Sequence, residues 1–268
     1  MRVAVVALLA VLVSVFTIGP SGEQGVDGAE GEAGTVIRSK LGDVGDEQNV
    51  RLSLPTNVVQ PRGLVIWFHG QGGNVNDRIN TPFLTSLLRN GYAIASSDFH
   101  LQSWGNAAST DDATRLIAWA EEQTGAPVTL WVSGSMGGAI SLNALTHGVE
   151  VPPCWYGVKP ALSLTMMDAV PTGNRFIKLA YGGEVPVDRN PVRNFDALPS
   201  DVRYRVVASP DDQWVPIGEN GGALLSKLDQ RGVEVSYLPA TGPHEDPSHW
   251  DAEDLVTFAD SCAPDSLG

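Results

Sequence analysis

The chain has 268 residues, a net charge of −14, 43% hydrophobic residues and 18% charged residues. That length and apolar content suit one large domain, two at most, with a sizeable core, and exclude a disordered chain. The acidic balance argues against binding nucleic acid or an anionic lipid surface, because both repel like charge.

The first residues read as a targeting segment. Met1-Arg2 is a short positive start, residues 3–18 are uncharged and largely apolar, and Gly19-Pro20 breaks the run. The run is short of the ~20 residues that span a bilayer comfortably, so residues 1–20 are expected to be a signal peptide. No small-residue cleavage site is evident, which leaves an uncleaved N-terminal anchor as the alternative. Stable membrane insertion is expected only in that case. Residues 21–34, rich in Gly, Glu and Ser, read as a flexible linker. The folded domain is expected over residues 35–268. The two cysteines, Cys154 and Cys262, invite a disulfide in an exported protein.

Strands and helices then alternate. Strands are expected at residues 50–54, 64–68, 92–96, 128–132, 162–167, 204–208 and 234–238. Helices are expected at residues 77–89, 111–124, 139–145, 222–230 and 251–260, with Asp111 or Asp112 near the start of the second. This alternation predicts an α/β fold: a mostly parallel sheet of about eight strands flanked by helices. Functional residues of such sheets gather at the carboxyl ends of the strands.

The most specific motif is Ser133-Gly-Ser-Met-Gly137, set between an apolar strand and a helix. A nucleophile elbow needs this pattern. Ser135 sits in a sharp turn, and the residues two before and two after must be small because strand and helix nearly touch there. Ser133 stands where the usual pattern has Gly. Three further strand ends carry polar or Gly-rich segments: His69-Gly-Gln-Gly-Gly73, Ser209-Pro-Asp-Asp-Gln-Trp-Val-Pro216 and Gly242-Pro-His244. A serine, then an acid, then a histidine, each at a strand end, is a narrow coincidence.

On these four segments the chain resembles the α/β-hydrolase fold family, serine esterases and lipases among them, over roughly residues 50–259. The resemblance implies Ser135 as nucleophile, His244 as general base and Asp212 as the acid orienting it. It implies an oxyanion hole from the backbone N–H groups of Gln71 and Met136. Asp211 is the alternative acid and His249 the alternative base. His69 and Asp98 read as loop-bracing residues, and His147 as a helix-end residue. No cofactor is implied, and neither histidine nor cysteine spacing suggests a metal site.

The implied activity is that of an exported serine hydrolase cleaving a small-molecule or lipid-like carboxylic ester through an acyl-enzyme. An acyltransferase or peptidase on the same residues, or a silent hydrolase-like binding protein, are the alternatives. A short lid is expected at residues 169–202, with a helix at 175–181. Trp104, Trp155, Trp214 and Trp250, expected in loops, are candidates to line an acyl pocket.

Overall fold

The computed structural model describes residues 38–43 and 48–263. The expected signal peptide and linker, residues 1–34, lie outside the described residues, as do the ends of the expected domain. Eight strands form one sheet: β1 (Arg38–Asp43), β2 (Asn49–Leu54), β3 (Leu64–Phe68), β4 (Ala93–Ser97), β5 (Val128–Gly134), β6 (Cys154–Val158), β7 (Arg203–Ala208) and β8 (Val235–Pro239). Their spatial order is β1-β2-β4-β3-β5-β6-β7-β8. β2 runs antiparallel to β1 and β4, and the remaining neighbours are parallel. β3, β4 and β6 are buried at every residue. Burial on both faces is why β3 reads as a continuous apolar run and shows no alternation.

The described residues form six helices: α1 (Pro82–Arg89), α2 (Ala107–Thr124), α3 (Gly137–Thr146), α5 (Gly221–Gln230) and α6 (Ala252–Cys262) pack on the sheet, and α4 (Gly173–Tyr181) lies in the insertion before β7. One buried cluster joins α2, α3 and α5 to the sheet through Leu116, Ile140, Trp131, Trp155 and Leu224. The other joins α1 and α6 through Phe83, Leu87, Tyr156 and Leu255. α6 is held further by a disulfide from Cys262 to Cys154 on β6. Arg205 on β7 pairs with Asp254 of the same helix, which also accepts from the Tyr156 hydroxyl at 2.7 Å.

Several elements differ from expectation, among them β1 and β6, which lie at none of the expected strand positions. The helix expected at residues 77–89 begins only at Pro82, because Arg78 adopts a left-handed backbone (φ 57°) and residues 77–81 form a turn. Proline at the first helical position then starts the helix. The helix expected at 111–124 starts at Ala107, capped by Asn106, whose side chain accepts from the Ser109 N–H at 3.1 Å. Asp112 is instead buried beside His100 and Arg115.

The strand expected at residues 162–167 is a loop. Its Leu162 and Ser163 N–H groups donate to the Asn220 side chain, and that of Leu164 to Asn190. β6 takes the sheet position between β5 and β7. Trp155 therefore lies in a strand, not a loop. Residues 169–202 hold α4 and three single-turn 3-10 helices, so the insertion is modest, with its helix two residues longer than expected at the start.

Candidate active site

β5 ends in the turn that carries Ser135, and α3 starts two residues later. Ser135 has φ 49°, a strained left-handed backbone for a residue with a side chain. Neighbouring strand ends hold it there. Its N–H donates to the Val158 carbonyl at 3.0 Å, and its carbonyl accepts from Ala161 at 2.9 Å. Gly137 must be glycine: a Cβ there would lie 2.1 Å from the Phe68 carbonyl oxygen. Ser133 is tolerated because its hydroxyl has a partner, the Ser141 hydroxyl at 2.8 Å, which also accepts from the Trp155 indole N–H.

The structure brings Ser135, His244 and Asp212 into one hydrogen-bonded chain. His244 Nε2 lies 3.0 Å from Ser135 Oγ, and His244 Nδ1 lies 2.7 Å from Asp212 Oδ2. Asp212 and His244 are buried. The second oxygen of Asp212 accepts from the backbone N–H groups of Trp214 and Val215 at 2.9 and 3.0 Å. Burial alone would raise the Asp212 pKa. The contact with His244 and these two N–H donors outweigh it and hold the carboxyl below its ordinary range. An anion fixed this way favours the Nδ1–H tautomer of His244 and leaves Nε2 free to accept from Ser135. The Trp214 ring packs on the His244 ring at a centroid distance of 5.3 Å.

Each of the other candidates has a different place. Asp211 is exposed. His249 is fully buried, its Nδ1 paired with the Asp246 carbonyl at 2.9 Å and its Nε2 without a partner among the described residues. Burial holds its pKa below the ordinary imidazole range. His69 is buried between the carbonyls of Gly70 and Asp98. The Asp98 carboxylate accepts from the Val75 N–H and the Asn49 side chain. His147 follows the last residue of α3 and bonds the Asn143 carbonyl. Gln71 lines the cleft at Ser135, and its side chain donates to the Pro171 carbonyl in the lid segment. Among the described residues, neither Gln71 nor Met136 donates its backbone N–H to another backbone group.

Ser135 opens into a cleft of about 280 Å³. Trp214 and Trp250 line it, joined by Trp67 from β3 and by Val170 and Pro171 from the lid segment. Trp104 and Trp155 are core residues instead. Four charged residues of the cleft wall were not singled out from the sequence: Asp77, Arg78, Lys159 and Glu245. Lys159 is buried at the end of β6, with a left-handed backbone (φ 42°). Its ammonium donates to the His244 carbonyl and lies 3.7 Å from Glu245 Oε1. Burial lowers its pKa, and Glu245 partly offsets that.

Solved structures share this architecture. One is an acylaminoacyl peptidase from Pyrococcus horikoshii (TM-score 0.69, 13% identity), covering 87% of this chain and 43% of its own. Another is esterase B from Lactobacillus rhamnosis, inhibited by a tributyrin phosphonate (0.68, 15%), covering 85% and 86%. A third is Thermogutta terrifontis esterase 2 phosphonylated by sarin (0.64, 16%), covering 83% and 93%. The chain has the α/β-hydrolase fold. It spans less than half of the peptidase's length. No family model and no curated protein matches the sequence.

Proposed function

We propose that this α/β-hydrolase-fold protein is an exported serine hydrolase that cleaves carboxylic esters through an acyl-enzyme. The observation that carries the reading is the hydrogen-bonded chain from Asp212 through His244 to Ser135, at the mouth of an accessible cleft. In this mechanism His244 Nε2 takes the Ser135 proton as Oγ forms a bond to the ester carbonyl carbon. The carbonyl electron pair moves to oxygen, where the N–H groups of Gln71 and Met136 receive it. Loss of one such donor typically raises the barrier by about 3 kcal/mol. Asp212 stabilises the imidazolium and does not itself take the proton. The tetrahedral intermediate then breaks its bond to the alcohol oxygen, which leaves with the proton from His244. Water, deprotonated by His244, releases the acid and restores Ser135.

Ester cleavage is preferred to peptide cleavage because the chain matches the two esterases over most of their length and the peptidase over less than half. Export is supported by the apolar run at residues 3–18 and by the Cys154–Cys262 disulfide, a bond typical of oxidising compartments. The test is a panel of esters and amides of rising acyl length, assayed with the wild type and Ser135→Ala. Ester turnover that disappears in Ser135→Ala is expected. Efficient cleavage of peptide amides alongside esters would favour a peptidase, and no turnover of either would favour a binding protein.

A further inference from the structure

Arg78 is a cation of the cleft wall whose guanidinium meets no acceptor among the described residues. It is half-buried, and its guanidinium carbon lies 3.8 Å from the centroid of the Trp250 ring. Among the described residues its guanidinium donates no hydrogen bond and has no carboxylate within ion-pair distance, although the Arg78 carbonyl accepts from Thr81. The other arginines that are not exposed, Arg51, Arg115, Arg189, Arg203, Arg205 and Arg231, all donate to a side chain or a carbonyl. A guanidinium carries five donors and is poorly served when partly desolvated without acceptors.

Its position is built. The Arg78 backbone is held left-handed (φ 57°), between the turn at Asn74 and the start of α1. The Trp250 platform is fixed edge-on by Phe83 at 5.1 Å and Trp67 at 6.3 Å. The other charges of the wall have partners. Lys159 is committed to the His244 carbonyl and Glu245, and Asp212 to His244. Asp77 lies beside Arg78 without ion-pairing to it. Burial raises its pKa, which His69, Arg78 and the Gly70 N–H pull back.

We infer that Arg78, stacked on Trp250, binds a carboxylate carried by the substrate itself. This rests on the hydrolase reading and narrows its substrate to an ester bearing a free carboxylate beside the scissile bond. A single guanidinium flanked by Asp77 and Glu245 suits one negative charge better than a dianionic phosphate. Its planar fork matches the two carboxylate oxygens. The chain's net charge of −14 repels anions at long range, so the gain is expected in KM, not in the rate of encounter.

The experiment compares matched esters: phenyl butyrate, the same ester with a carboxylate on the acyl chain, one with a carboxylate on the phenyl ring, and one with an ammonium on the acyl chain. At least one carboxylate ester is expected to exceed phenyl butyrate by about tenfold or more in kcat/KM, mainly through KM. That ratio should fall to near one in Arg78→Gln and recover partly in Arg78→Lys, with thermal unfolding confirming that both variants fold. Calorimetric binding of the same esters to Ser135→Ala reads the preference without turnover. Carboxylate binding lost in Arg78→Gln supports the inference even if hydrolysis fails. Equal handling of neutral and carboxylate esters, preference for the ammonium ester, or a preference unchanged in Arg78→Gln overturns it. Turnover of phenyl butyrate that survives in Ser135→Ala would instead sink the reading of Ser135 as the nucleophile.

Discussion

The two halves of the cleft are built by different means. The reacting half, Ser135 with His244 and Asp212, is set by short motifs at strand ends, where the backbone leaves little choice of residue. Gly137 has no room for a side chain, and Gly242, at φ 70° before His244, would press a Cβ against Asp246. The facing half, Arg78, Lys159 and Trp250, comes from three separate segments whose side chains meet only after folding. Its two cations both sit on left-handed backbone, so their direction is fixed by turns and not by a helix or strand. The residues of the proposed chemistry are placed by local motifs, and those of the proposed recognition by tertiary structure.

The largest effect expected from breaking this division is at the base. His244→Ala should lower kcat/KM by about 10⁴-fold or more, whereas His249→Asn, five residues on, should cost less than about tenfold. Steady-state kinetics on one neutral ester distinguishes the two. Equal losses would mean that the buried His249 belongs to the reacting half.

Lys159 is the member of the facing half that touches the reacting half, through the His244 carbonyl. Lys159→Met removes the ammonium that braces the His244 carbonyl while keeping an unbranched chain in the wall. Loss of that positioning should lower kcat by about 10–100-fold with a smaller change in KM. A change confined to KM would place Lys159 wholly in recognition.

Two smaller effects concern stability. His249 is buried with its pKa depressed by desolvation, so the unfolded chain binds a proton that the folded chain resists. Its contribution is therefore present above the ordinary imidazole pKa of about 6.5 and is lost as pH falls below it. The unfolding midpoint should drop between pH 7.5 and pH 5.5, and His249→Asn should shrink that drop. Ser133→Gly removes the hydroxyl contact with Ser141 and should cost about 1 kcal/mol in denaturant unfolding while leaving the elbow competent.

This division also explains what was legible in the sequence. Ser135, Asp212, His244 and the alternating elements could be read because small residues, apolar runs and strand ends leave local marks. What separates His244 from His249 in the structure is tertiary: His244 meets Asp212 from another strand end, whereas His249 Nδ1 meets only the carbonyl of Asp246, three residues before it. The strand expected at residues 162–167 was misplaced because its apolar side chains fill the core from a loop, its N–H groups satisfied by Asn190 and Asn220. β6 was missed because Pro152, Pro153 and Gly157 flank or interrupt a run whose value lies in its pairing with β5 and β7. With β6 missed, Lys159 had no strand end to mark it. Arg78 was hidden inside an expected helix whose first turn its own backbone prevents.

The most direct test of the account is to locate the adduct formed with a fluorophosphonate probe by intact mass and peptide mapping. One phosphonyl group on Ser135 is expected, formed quickly in the wild type, slowly in His244→Ala and not at all in Ser135→Ala. An adduct on another residue, or equal labelling rates with and without His244, would contradict the claim that His244 and Asp212 activate Ser135.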